Sequence, residues 1–439
     1  MKFITDYLLE DYILETTWED LPQLIQERAV VCGIDLMIAL LLGSRGKQFQ
    51  AGMSLAKQIY REGDVPLVGS EERLHFMGAT VAMAHAANSF DIDDGHNMIK
   101  GHPGASFVAG ILAAALEKDV TYKEYLTTLV IAYEASIRWA AAMQDHYGYL
   151  HSTGAYGSFG SAAGVGRLFG LSREELNNAL SVADFHAPMT PVMRAVEYPS
   201  MNKDGVPFGT LVGTMAVLET LAGTTGKTHL LELEEYSGHL QSLGEEHEIM
   251  NLYFKPYTCC RWAHQAIHAG LGLMRENGIT PDDMASVTVH TFNSAARLSK
   301  IIPCNTDEAQ YNIAYPVASA LVNGDLGYLQ IRDEALGDLR VIEFMKKLDF
   351  VVDPDIESQF PGKRLARVEI KLNDGRTFTS ETIAAPGEAG DGVDLEWISH
   401  KFNRLTKPLL APEKQEGILE RLKTPSDRRM REIIAFMNQ

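Results

Sequence analysis

The sequence predicts a mainly α protein, built as a large all-helical domain with a smaller α+β lid domain inserted before the C-terminal helices. Three observations carry this. Over roughly the first 250 residues, apolar positions recur at helical spacing in one alanine-rich segment after another. After about Phe254 the character changes, and Asn373-Asp374-Gly375-Arg376 stands between two β-rich runs as a hairpin signal. Beyond Gly392 the helical spacing returns. A chain of 439 residues is long for one core, so two domains are expected. Residues 1–255 and 393–439 form the helical one and 256–392 the α+β one.

In chain order, residues 22–43 open the helical pattern with Leu24, Ile25, Ala29, Val30, Cys32 and Leu36 on a helical repeat. Helices are then expected over 71–88, 105–116, 122–143, 161–168, 173–183 and 209–221. Runs such as Ala113-Ala114-Ala115 and Ala140-Ala141-Ala142 permit close helix approach. Ser172 with Glu175 reads as a capping box. The second domain opens with a helix over 262–276, followed by a strand over 285–292 and a helix over 307–322. The hairpin strands 367–372 and 377–382 come next. Residues 384–392 read as a linker, and helices over 395–405 and 413–422 rejoin the first domain.

Composition excludes several function classes. With 46% hydrophobic and 22% charged residues the chain is an ordinary globular protein. A formal charge of -19 argues against a nucleic-acid partner, which needs a basic face. Cys32, Cys259, Cys260 and Cys304 show neither zinc-type spacing nor a disulfide framework, which fits a reducing compartment. The acidic start (Asp6, Glu10, Asp11, Glu15) is unlike a signal peptide, and the apolar run 29–42 is interrupted by Asp35 and too short to span a bilayer. A cytoplasmic protein with no membrane partner is expected.

The densest chemistry lies between two apolar helices, from Phe90 to Gly104. Asp91, Asp93, Asp94, His96, Lys100 and His102 crowd into one stretch, and Gly95, Gly101, Pro103 and Gly104 bend its backbone. Buried charges need partners, so such a loop either faces solvent or forms a site. We read it as the centre of an active site. Gly223-Thr224-Thr225-Gly226-Lys227-Thr228 fails as a phosphate loop, because its first glycine would fall at Leu221 and no strand precedes it. The glycines from Gly154 to Gly170 lack a strand–turn–helix context, so close helix packing explains them more simply. Asp93, Asp94, His96 and His102 lack regular helical ligand spacing, so a metal is not expected.

Four further clusters stand out: His151 before a helix, Lys203 in 198–205, Lys255 to His264 around Cys259 and Cys260, and Gln310 to Pro316 around Tyr315. Taken singly, each has a plain structural reading: a capped His, a solvated Lys, buried thiols, a core Tyr. Together they suit a substrate that bears carboxylates and an acidic C–H. Lysines anchor carboxylates, and a His, Asp or Tyr moves the proton.

The motifs Asp91-Ile92-Asp93-Asp94 with His102-Pro103, His151-Ser152-Thr153-Gly154 with Gly170-Leu171-Ser172, Tyr198 to Gly209 around Lys203, Lys255-Pro256-Tyr257 with Cys260 and His264, and Ala309-Gln310-Tyr311 to Tyr315 fall in one order along nearly the whole chain. In this the chain resembles the MmgE/PrpD family of dehydratases, decarboxylases and epimerases of small polycarboxylates. The resemblance implies a helical domain closed by an α+β lid, a homodimer, no required cofactor and a small polycarboxylate partner. It implies that Asp91, Asp93, His102, His151, Lys203, Lys255 and Tyr315 line the pocket. His102 with Asp93 takes the general acid/base role, and His151 and Tyr315 are candidates for the second proton transfer. Asp91, Lys203, Lys255, Cys260 and His264 bind substrate.

The chain departs from the family pattern in three places. Gly95 replaces the Thr of the dehydratases and decarboxylases. Asp204-Gly205-Val206-Pro207-Phe208 replaces a Ser/Pro-Leu-His-type run, and Cys260 stands where the decarboxylase has a His. The expected activity is a cofactor-independent, dehydratase-like lyase, with epimerisation close behind because these departures fall in pocket motifs. Epimerisation or isomerisation of an iminodisuccinate-like dicarboxylate and cis-aconitate-type decarboxylation are the alternatives. The rival from another class is a catalytically silent binding relative.

Overall fold

Asp35, the acidic interruption in an otherwise apolar run, shows how the helical part is built. It sits in α2 (Gln23–Gly43), a helix buried on every side from Ala29 onward, and its carboxylate is ion-paired with the buried Lys401 ammonium. A helix apolar all round is a core helix, and its one charge is tolerated because it is paired. In the computed structural model, which describes residues 7–439, the chain forms two units. The first holds the chain up to Ser89, Asp93–Phe254 and Gly392–Gln439, and the second holds Phe90–Ile92 and Lys255–Asp391. Among the described residues the fold is mainly α.

The first unit begins with α1 (Leu8–Glu15), α2, α3 (Lys47–Ile59), α4 (Phe76–Ala87), α5 (Ala105–Glu117) and α6 (Tyr122–Tyr147). It continues with α7 (Gly154–Phe169), α8 (Arg173–Phe185), α9 (Met193–Glu197) and α10 (Val206–Leu221). Two short antiparallel ladders, which no alternation announced, also belong to it. β1 (Val65–Pro66) pairs with β2 (Arg73–Leu74), and β3 (Gly95–His96) with β4 (Leu252–Tyr253). The helix expected over 71–88 starts only at Phe76, because His75 caps it by accepting from the Met77 amide. α7 begins earlier than the periodicity places it, at Gly154. The capping box at Ser172 is present, with Ser172 N–H donating to Glu175 at 2.8 Å and the Glu175 amide to Ser172 Oγ at 3.4 Å.

The glycines of α7 are packing positions. A Cβ on Gly157 would meet the Ser106 side chain at 2.4 Å, and one on Gly164 would meet Ile111 at 2.5 Å. A Cβ on Gly209 of α10 would meet the Gly154 carbonyl at 2.2 Å. α7 therefore lies against α5 and α10 at a separation that side chains would forbid.

The second unit contains α11 (Arg261–Asn277), β5 (Met284–Thr291), α12 (Asn293–Ala296), α13 (Thr306–Gln310), α14 (Ala314–Asn323), α15 (Tyr328–Ile331), α16 (Leu339–Met345), β6 (Leu348–Val352), α17 (Pro354–Glu357), β7 (Ala366–Leu372) and β8 (Thr377–Thr379). Its sheet runs β6-β5-β7-β8, with β5 parallel to β6 and antiparallel to β7. The β7–β8 hairpin turns where Asn373-Asp374-Gly375 signalled it, with Gly375 at φ 90°. β6 was not expected, since its residues do not alternate and most are exposed. The helix expected over 307–322 is two helices. Asn312 Oδ1 accepts from the Tyr315 amide at 2.8 Å and starts α14 afresh. The chain then returns to the first unit as α18 (Leu395–Thr406), α19 (Pro412–Lys423) and α20 (Met430–Asn438).

Candidate active site

Within the first unit the charged loop is held from inside by Asp94. Its Oδ1 accepts from the Gly104 amide at 3.1 Å, its Oδ2 from the Tyr133 hydroxyl, and its carbonyl from His102 Nδ1 at 3.0 Å. Gly104 is required at this knot, because a Cβ there would lie 2.2 Å from Asp94 Oδ2. Burial, with Asp35 and Asp93 adding negative charge, pushes the Asp94 carboxyl up to about 7.

His102 is thereby fixed in tautomer as well as in place. A carbonyl only accepts, so Nδ1 carries the hydrogen, and in the neutral ring Nε2 presents its lone pair. Asp93, expected to support this ring, lies with Oδ2 3.2 Å from Nδ1 and acts through its charge, since the hydrogen bond goes to the Asp94 carbonyl. Asp93 Oδ1 accepts from Asn88 at 2.7 Å. On the far side of the ring Asp204 Oδ2 stands 3.7 Å from Nε2. The His102 amide donates to Thr153 Oγ1 at 3.2 Å, which also accepts from Tyr156 Oη at 3.1 Å. Gly101 is needed because a Cβ there would overlap the Tyr156 hydroxyl. Asp204 and Thr153 had no assigned role in the sequence, and only the close approach of α7 and α10 brings them to His102. The Gly154 amide donates to the Asp204 carbonyl at 2.8 Å, which locks the two segments together.

Beside this cluster opens a pocket of about 460 Å³. Lys203, Arg194, Ser152, Thr190 and Asn202 are in its lining, and none of its lining residues is acidic. Lys203 is buried and adopts a left-handed backbone at φ 47°. His102 is not in this lining, but it touches Thr153 and Asp204, the chain neighbours of Ser152 and Lys203. His151, next to Ser152, is buried against the Tyr149 ring at 4.1 Å and the Tyr147 ring at 5.3 Å. Neither of its ring nitrogens has a partner among the described residues. Burial lowers its pKa, which favours the neutral imidazole.

Gly95 has its own explanation. A Cβ there would meet the Tyr253 ring at 2.2 Å, so a threonine would not fit without moving that ring. His96, which stood in the metal reading, lies 3.4 Å from Glu248, and the imidazole beside it holds that carboxyl at about 2.

The other predicted residues lie in the second unit, where their polar atoms are engaged. Lys255 Nζ is 2.7 Å from Asp91 Oδ1 and 3.1 Å from the Asp91 carbonyl, a buried ion pair. Lys255 was expected to hold a substrate carboxylate; its charge is met by Asp91, itself held at φ 52°. His264 Nε2 donates to the Cys259 carbonyl at 2.9 Å, and burial with the neighbouring Arg261 keeps its pKa well below the usual value. Cys260 caps α11, its amide donating to the Gln310 carbonyl at 2.9 Å. Tyr315 is fully buried, with its hydroxyl 3.2 Å from the Gln330 and Ala335 carbonyls, so that group is occupied in tying α14 to the following turns.

One further group of ligand-type side chains, Glu10, His229 and Glu232, brings its donor atoms within 4.8 Å of one another. Asn177 donates to both carboxylates there, at 3.0 and 2.7 Å, and His229 Nε2 lies 3.1 Å from Glu10.

Comparison with known proteins agrees with the resemblance read from the motifs. The MmgE/PrpD N-terminal domain model matches residues 8–250 and the C-terminal domain model residues 257–424. The cis-aconitate decarboxylase-like protein oryM of Aspergillus oryzae is 23% identical over 93% of this chain and 92% of its own length. Human cis-aconitate decarboxylase is 21% identical over 78% of this chain and 75% of its own. The 2-methylcitrate dehydratase of Escherichia coli is 25% identical, covering 73% of each chain.

Proposed function

Because the chain belongs to the MmgE/PrpD family, we propose that it is a lyase acting on a small di- or tricarboxylate, with His102 as the general acid/base. The carrying observation is the juxtaposition of a tautomer-fixed imidazole with a pocket that holds buried Lys203 and no carboxylate in its lining. His102 Nε2 takes the proton α to a carboxylate, and Asp93 and Asp204 stabilise the imidazolium that forms. The electron pair left on carbon delocalises into the carboxylate, where Lys203 meets the developing charge. In dehydration the β-hydroxyl departs as water, carrying the proton that the His102 imidazolium took from carbon and now gives back; neutral, buried His151 is assigned the second proton-transfer position as an acceptor of the substrate hydroxyl's hydrogen bond. Decarboxylation is the second reading, favoured by the extent of the Aspergillus oryzae relative's match. There a carboxylate leaves as carbon dioxide and a proton is added to carbon.

The test is a panel of methylcitrate, citrate, cis-aconitate and iminodisuccinate in deuterated water. New alkene absorbance identifies the dehydratase and released carbon dioxide the decarboxylase. Deuterium incorporation without either would replace the lyase reading by an epimerase, and binding without turnover would replace it by a silent relative. His102→Ala is expected to lose about a hundredfold or more in kcat with its melting curve unchanged. Activity retained in that variant removes His102 from the chemistry.

A further inference from the structure

We infer that Arg194 is a second carboxylate clamp of the Lys203 pocket, so that the substrate is held by two of its carboxylates at once. The inference rests on the proposed polycarboxylate chemistry and adds to it a residue and a specificity rule.

Arg194 lies on α9 and lines the same pocket as Lys203. Its guanidinium makes no hydrogen bond or ion pair among the described residues. The side chain is exposed at the pocket, so its fork is open to a ligand. The rest of the lining offers donors instead of competing acids: Ser152 and Thr190 hydroxyls and the Asn202 amide. The backbone that carries Arg194 is tied to the His151 segment. The Val192 amide donates to the Leu150 carbonyl at 3.0 Å, the Ser152 amide to the Thr190 carbonyl at 2.7 Å, and His151 bridges to Pro191. Arg194 is thus held in register with His151 and Ser152. Its planar fork suits a bidentate carboxylate, whereas the Lys203 ammonium is a point charge, so the two cations read different ends of one ligand.

The experiment measures citrate binding by calorimetry, which does not depend on turnover, and then steady-state kinetics on whichever panel compound reacts. Arg194→Gln is expected to weaken citrate binding and raise KM by about ten- to a hundredfold, with a much smaller effect on kcat. Arg194→Lys should restore little of this, because it cannot form the paired hydrogen bonds. A citrate analogue with one carboxylate converted to an amide should bind wild type weakly and lose less when Arg194 is replaced. Citrate bound equally by wild type and Arg194→Gln overturns the clamp while leaving the lyase reading intact. Arg194→Lys equal to wild type overturns the bidentate contact. A wild-type protein that binds no polycarboxylate overturns the clamp together with the reading on which it rests.

Discussion

Asp94 is pushed up to about 7 by burial and by the Asp35 and Asp93 charges, and the direction of the resulting pH dependence follows. The unfolded chain releases this proton near 3.8 while the folded chain retains it to about 7. Stability contributed by the neutral carboxyl is therefore present at low pH and falls as pH rises through that window, by on the order of 4 kcal/mol. Asp94→Asn keeps an acceptor for the Gly104 amide and cannot ionise. The difference in Tm between Asp94→Asn and wild type should thus be more favourable to the variant at pH 8 than at pH 5. An equal difference at both pH values would show that Asp94 does not titrate there. At this scale the sequence was readable where charge density was abnormal. The stretch from Asp91 to His102 declared itself, and His102 was picked because an imidazole beside carboxylates moves protons near neutral pH. Asp204 and Arg194 were not readable, because a lone acid in a turn and a lone surface arginine look like solvated residues until the fold sets them beside an imidazole and a pocket.

At the scale of elements, most helices were legible because burial on one stripe leaves a 3.6-residue period. The failures have local causes. α3 is rich in small and polar residues, β6 is an exposed edge strand without alternation, and the start of α4 is set by a histidine cap instead of hydrophobicity. α1 is fastened by chemistry that periodicity does not show. Burial works against the charge of Glu10, yet the hydrogen bond and charge of His229 leave its pKa lowered. Burial works against protonated His229 too, yet Glu10, Glu232 and Asp184 leave its pKa raised. A lowered carboxyl contributes stability above its unfolded value of 4.5 that is lost as pH falls through the folded one. A raised imidazole contributes fully below 6.5, and that contribution is lost as pH rises through its folded value. The latch on α1 is therefore strongest between about pH 4.5 and 6.5 and loosens above. Amide hydrogen exchange in residues 8–15, corrected for intrinsic rates, should show less protection at pH 8.5 than at pH 6. His229→Gln should abolish that difference, and an unchanged difference in the variant would place the titration elsewhere.

For the whole molecule, the open question is what covers α10. Phe208, Leu211, Val212, Met215 and Leu218 recur at helical spacing on its outward side, with Phe208 59% and Met215 39% exposed. Phe185, at the end of the neighbouring α8, is 86% exposed. Apolar groups in such a row are not left to water without reason. The occupant we propose is a second copy of this chain. Two molecules of formal charge -19 repel, so they approach most favourably through a surface built on α10, a helix that carries one ionisable residue, Glu219, and a helix face meeting its own copy across a two-fold axis needs no other partner. Phe208 also lines the Lys203 pocket, so association would cover one wall of it and couple assembly to activity. Sedimentation at micromolar concentration should give a dimer, and Met215→Asp should give a folded monomer whose kcat/KM is reduced at least about tenfold. Met215 is outside the pocket lining, so that loss would report on assembly. A wild-type protein that sediments as a monomer would leave α10 uncovered and refute the interface. A monomeric Met215→Asp with full activity would keep the dimer but sever it from the site.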